Sequence, residues 1–342
     1  MGWLGSLVVA LLVSGGGSES VALVGVGVVD MESGEVLPGQ TVLIVGREIR
    51  AVASEGEVEL PQGVTIVNAE ENFLIPGLWD THVHVTPFGE GVLPLFVAYG
   101  VTAVRDVGST DAIFRWREEI AAGARLGPRI WTSGRMLAQA RGADPGPEWE
   151  RVDSPAAARQ AVAARRTEGA DLLKMQDSFM ERGLWSAAVA EATLHGLPVA
   201  GHAPVDVPLT EAIELGLGST EHIVLALHRA GVTILAGTDA WAMYDFPGSD
   251  LHSELWHMVQ AGLTPLEALR TATLTPAQYM RVADSVGSIR PGKLADLVLL
   301  DADPLADIRN TERIAAVVAN GRYLDRPALD LLLAEARRVH QR

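Results

Sequence analysis

Gly77-Leu78-Trp79-Asp80-Thr81-His82-Val83-His84 is a short apolar run that closes in polar side chains. On an extended strand, residues i and i+2 point to one face, so His82 and His84 can reach one metal. The rhythm repeats downstream. Further apolar runs start near residues 101, 129, 171, 198, 219 and 233, with Ala-rich helical stretches between them. Continuous apolar strands alternating with helices indicate a parallel sheet, and this many repeats indicate a β/α barrel.

Helix signals support this reading. Ser154-Pro155 opens one helix and Gly169 lies just past its end. Thr264-Pro265-Leu266-Glu267 reads as a capping box with Pro at the first helical position, and Thr275-Pro276-Ala277-Gln278 reads as another. Before residue 74 the text changes to short β-rich segments at 21–29, 41–45, 49–54 and 65–68, punctuated by glycines, and after residue 285 strands return at 296–301 and 315–320. The expected architecture is α/β: a TIM-like barrel over 74–284, and a small β-sandwich domain built from 21–73 and 285–325. Residues 326–342 read as an exposed helix.

The 342 residues suit such a barrel with an appendage. A charge of −16, from 27 basic and 43 acidic residues, argues against nucleic acid as a partner. With no cysteine, any metal must be held by His, Asp, Glu or a modified Lys. Residues 7–13 are apolar and precede Ser14-Gly15-Gly16-Gly17-Ser18, so 1–20 read as a signal peptide. That places the mature chain in the periplasm or outside the cell; a retained leader would leave it in the cytoplasm. No later stretch is apolar enough to span a bilayer. A homo-oligomer is left open.

Polar residues close the later runs as well. Lys174 ends Leu172-Leu173-Lys174, His202 follows Ala200-Gly201, His222 follows Thr220-Glu221, and Asp239 ends Leu235-Ala236-Gly237-Thr238-Asp239. Barrel enzymes place their reacting groups at these carboxyl ends. Taken singly, each is as well explained as a structural residue. Together, unpaired in a barrel mouth, they would cost several kcal/mol, and a bound cation satisfies all of them.

The order His-x-His, Lys, His, His, Asp on β/α repeats resembles the amidohydrolase superfamily. Pro76 to His84 and Gly287-Ser288-Ile289-Arg290-Pro291-Gly292-Lys293-Leu294-Ala295-Asp296 carry the likeness, and Gly100 to Asp106 resembles its imidazolonepropionase-like and prolidase-like branch. The resemblance implies two divalent metal ions, zinc foremost. His82, His84 and Asp239 would hold the first, His202 and His222 the second. A CO₂-derived carbamate on Lys174 would bridge them. It also implies a metal-bridging hydroxide as nucleophile, with Asp239 as the catalytic proton shuttle. A mononuclear enzyme with a structural Lys174 is the alternative. Met175-Gln176-Asp177-Ser178 departs from the aromatic or Gly-rich stretch that many relatives carry there, which leaves specificity open. His252 and His257 read as outlying or surface residues, and His195 as a helix cap.

The implied activity is hydrolysis of amide or C–N bonds in small peptides or N-acyl amino acids. A lactone, ester or phosphotriester hydrolase is the alternative, as is a metal-binding protein without activity. The last reading stems from a gap. Between His222 and Thr233 there is no room for a further strand and its crossovers. Seven strands are therefore expected where a closed barrel has eight, with the Asp239 strand either beside the His222 strand or across a cleft from it.

Overall fold

The computed structural model describes residues 20–142, 146–220, 232–241 and 246–340. The leader and His222 lie outside them.

The chain opens with β1 (Ser20–Val29), β2 (Val36–Val45), β3 (Glu48–Ser54), β4 (Thr65–Asn68) and β5 (Phe73–Pro76). Next come β6 (Leu78–Val83), β7 (Val101–Asp106) and β8 (Arg129–Thr132), a parallel three-stranded sheet. A parallel five-stranded sheet in the order β10-β9-β11-β12-β13 follows, from β9 (Met136–Gln139), β10 (Trp149–Val152), β11 (Leu173–Met175), β12 (Val199–Gly201) and β13 (Leu217–Thr220). The chain closes with β14 (Leu297–Leu300), β15 (Ile314–Ala319), β16 (Arg322–Asp325) and a helix, Arg326–His340.

Strands from both ends of the chain share one sheet, because β5 pairs antiparallel with β14. Hydrogen bonds join all eight strands in the order β16-β15-β14-β5-β1-β2-β3, with β4 on β1. Two stacked sheets are expected from the sequence. The continuity comes from β1, which pairs β4 with its first half and β5 with its second and carries two register shifts against β2.

Every residue of β6 and β7 is buried, as parallel strands covered on both faces require. The run near 129 breaks at Gly134 (φ +61°) and resumes as β9, which pairs with β11 at Leu137–Met175. The amide of Asp171 donates to Thr132 (2.9 Å), which brings the two parallel sheets side by side. The ladders do not close into a ring among the described residues. The run expected as a strand at 233–236 forms none: only Ala240 makes an isolated bridge, to Val83.

Helix 155–168 has Ser154 accepting from the Ala157 amide (3.2 Å) and Gly169 in the left-handed region. Thr264 and Glu267 form the reciprocal capping box. The second expected box is absent. Helix Leu274–Tyr279 starts before Thr275, and the hydroxyl of its cap residue Thr273 donates instead to Leu269 (2.7 Å). The last helix is not wholly exposed. Leu329 is buried, with Ala328 and Leu332 packed on the main core. No helix among the described residues is long and apolar enough to cross a membrane.

Candidate metal centre

His82 and His84 leave the end of β6 and converge with Asp239. His82 Nε2 lies 3.1 Å and His84 Nε2 3.5 Å from the same oxygen, Asp239 Oδ1. One donor atom from each of the three lies within 4.8 Å of the others. The imidazoles are buried, whereas the Asp239 side chain is 45% exposed, so the carboxylate forms the solvent side of the group.

The backbone explains why residues 155 apart in sequence meet. Segment 232–240 runs along β6. Thr81 N donates to Ala236, Asp239 N to His82 (2.8 Å) and His84 N to Ala240 (3.0 Å). Gly237 makes the approach possible, because a Cβ there would stand 2.7 Å from the Cβ of His82. Asp239 adopts φ +56°, a left-handed turn that interrupts strand geometry and explains why no strand forms.

Two buried carboxylates support this half. Asp80, on the same face of β6 as His82, accepts from the Thr238 amide (3.0 Å) and hydroxyl (2.7 Å). Burial pushes its carboxyl up to about 6, against those hydrogen bonds. Asp106 accepts from Ser109 Oγ (2.5 Å), Val85 N, Thr132 Oγ1 and Gly108 N. Burial likewise raises it. Through Gly108 it governs a ligand: His84 Nδ1 donates to the Gly108 carbonyl (3.0 Å), which leaves Nε2 with its lone pair facing Asp239. Burial opposes ionisation of Asp239, but the facing imidazoles of His82 and then His84 outweigh it and hold that carboxyl well below the usual range. Ionised carboxylate is the form a metal needs.

Lys174 and His202 belong to the second sheet. Lys174 is buried on β11, in register with Ala200 of β12. His202 follows β12 and donates from Nδ1 to the Gln176 carbonyl (2.9 Å), so its lone pair lies on Nε2. Gly201 (φ +118°) lets this happen: a Cβ would lie 2.1 Å from the Met175 carbonyl oxygen, which accepts from His202 N. The chain thus brings His82, His84 and Asp239 together. His222, the expected partner of His202, lies outside the described residues.

Two nitrogens and one carboxylate at one point fit a zinc-like divalent ion, by the chemistry of the donors and by His84's fixed tautomer. Asp80, Asp106 and Thr238 were not singled out from sequence. Asp80 had a signal, two residues before His82 on one strand face, and Asp106 closes its strand as the ligands close theirs. His252 proves to be a core residue, donating through Nε2 to the Tyr99 carbonyl (2.9 Å) and facing Thr311 Oγ1 (3.0 Å). His195 is the C-cap of helix 182–194 and bonds Glu191.

Residues 210–324 match the model of the Amidohydrolase family. An adenine deaminase of Rubrobacter xylanophilus is 26% identical over 86% of this chain and 56% of its own length, so the chain spans about half of that relative. Among solved structures, a Xaa-Pro dipeptidase with methionine in its active site superposes with a TM-score of 0.77 at 21% identity, covering 90% of this chain and 100% of that one. Phenylurea hydrolase B gives 0.76 at 22%, over 92% and 98%. Both share the α/β fold.

Proposed function

Because the chain is a member of the amidohydrolase superfamily, we propose that it is a metal-dependent hydrolase of amide or other C–N bonds in small peptides or N-acyl amino acids. The observation that carries this is the convergence of His82, His84 and Asp239 at the end of β6. A bound divalent ion supplies Lewis-acid polarisation and a more acidic water. The rest is the work of the chain. His82 and His84 present their Nε2 atoms from a buried strand end. Asp239, open to solvent on one side, takes a proton from the attacking water and returns it to the leaving nitrogen.

Lys174, His202 and His222 form the second half of a dinuclear centre in this reading, with a carbamate on Lys174. Its frame is a TIM-like barrel at 74–284 lacking one strand, with 21–73 and 285–325 as the terminal unit. The mature chain is periplasmic or secreted, after loss of a leader ending near residue 20. Intact mass in the native host should show that loss.

Zinc-loaded protein, tested on dipeptides, N-acyl amino acids and lactones, should turn over the amides first. Elemental analysis should give close to two equivalents, falling to one in Lys174→Ala. No turnover of any amide would sink the activity; one equivalent unchanged by Lys174→Ala would sink the dinuclear centre. The adenine deaminase likeness favours a second reading, hydrolytic deamination of a purine, so adenine belongs on the panel.

A further inference from the structure

A cavity of about 320 Å³ opens at the carboxyl ends of β9 and β11, near the small end of the ligand-pocket range of roughly 300–1,000 Å³. Trp149, Phe179, Arg141, Arg151 and Gln176 give it its character. We propose that it is the subsite for the carboxylate-bearing end of the substrate, taking a flat apolar residue with a free acid group, such as the aromatic residue of an N-acyl amino acid. The proposal deepens the amide-hydrolase reading and rests on it.

Strand alternation builds the wall. On β10, which runs parallel to β9, Trp149 and Arg151 line the cavity while Glu150 and Val152 face away. Val152 is in the core, and Glu150 Oε2 pairs with Arg135 (2.9 Å) and, more distantly, with Arg165 (3.9 Å). These contacts fasten the strand from behind and fix Trp149 and Arg151 in place before a ligand arrives. Phe179 is 68% exposed and adds an apolar surface that the fold itself does not need.

The charges point to an anion. Arg151 Nη2 donates to the carbonyls of Arg141 (2.8 Å) and Gly142 (3.1 Å), which uses one corner of a guanidinium with five donors. Arg141 is held by Asp177 (2.7 Å), and Asp177 also accepts from the Phe179 amide (2.8 Å). The rim therefore carries two arginines against one aspartate, on a chain whose total charge is −16. A protein that acidic repels a carboxylate substrate unless it builds a local exception.

Gln176 joins this cavity to the metal residues. It lies two positions after Lys174 on the same segment, and its carbonyl orients His202 (2.9 Å). Its side-chain Oε1 is buried without a partner among the described residues. That acceptor suits the N–H of an N-acyl amino acid whose carboxylate lies on the arginines, with the acyl carbonyl then toward the histidines.

Calorimetric titration of the full chain with N-acetyl-L-phenylalanine and with N-acetyl-L-phenylalaninamide tests the subsite apart from turnover. The acid should bind about tenfold tighter than the amide, the size of one charge-assisted hydrogen bond. Arg151→Met and Arg141→Met should each shrink that ratio and Arg151→Lys should keep most of it. Equal binding of the two probes by the unaltered chain overturns the proposal, and so does an acid preference that survives both Met variants, which would place the carboxylate on the metal residues. Turnover of amides with no acid preference removes the subsite and leaves the activity. An arginine-dependent preference without turnover of any amide does the reverse.

Discussion

The two parallel sheets carry the two halves of the candidate centre in different ways. The β6–β8 sheet has strands of four to six residues, and the segment carrying Asp239 is bonded to its edge by backbone amides and by Asp80. His82, His84 and Asp239 are held together by hydrogen bonds of the chain itself. In the β9–β13 sheet, Lys174 is the middle residue of one three-residue strand and His202 follows another, its ring bonded to the Gln176 carbonyl beside Gly201. The two halves therefore rest on strands of different length. The first half should hold its geometry through perturbations that scatter the second.

The harshest way to break this contrast is Gly201→Ala. Both the left-handed φ and the 2.1 Å approach to Met175 oppose any Cβ, so the loss of stability should reach about 4 kcal/mol. If the halves are independent, one metal equivalent should remain by elemental analysis while the other is lost. Loss of both would join the halves into one unit.

Asp106→Ala attacks the other side. It leaves buried donors at Ser109, Val85 and Thr132 without their acceptor and should cost about 3 kcal/mol in denaturant unfolding. Binding by the His82–His84–Asp239 group should weaken with it, because Gly108 would no longer hold His84. Unchanged affinity there would show that Asp106 is only a structural residue.

Asp239→Asn tests chemistry within the stronger half. It should lower kcat by about 10²-fold, close to 2.7 kcal/mol, while most of the metal stays bound. Near-normal turnover would end the proton-shuttle role.

His252 supplies a reference outside both halves. Burial depresses it from 6.5 to about 4, with the Tyr99 carbonyl acting against that shift. The unfolded chain therefore takes up its proton first as pH falls. The stability that a neutral His252 contributes is complete above its unfolded value and is lost through the window from 6.5 down to 4. Between pH 7.5 and 5 this should amount to about 2 kcal/mol, and His252→Asn should flatten that slope in urea titrations. An unchanged slope would assign the pH dependence to other groups.

Much of this was legible without coordinates. The spacing of His82 and His84, the caps at Ser154 and Thr264, and the strand in every apolar run up to residue 220 follow from period and local hydrogen bonding, which neighbouring residues settle. The failures are equally local in origin. Thr275 reads as a cap because the sequence does not show that the helix already begins at Leu274, two residues before Pro276. The run at 233–236 looked like a strand because apolar content does not reveal a left-handed Asp239.

By itself, the sequence determined which side chains could bind a cation and at which strand ends they would stand. Tertiary structure alone decided that the Asp239 segment lies along β6, that Asp80 bonds Thr238 and Asp106 bonds Gly108 beside His84, and that β10 turns Trp149 and Arg151 into a cavity beside Gln176. The reason is physical. Alternation and capping are short-range and can be read in a few residues. Which buried polar groups find partners, and which backbones approach closely enough to need Gly201 or Gly237, depends on segments tens to more than a hundred residues apart, and only the packed chain brings them together.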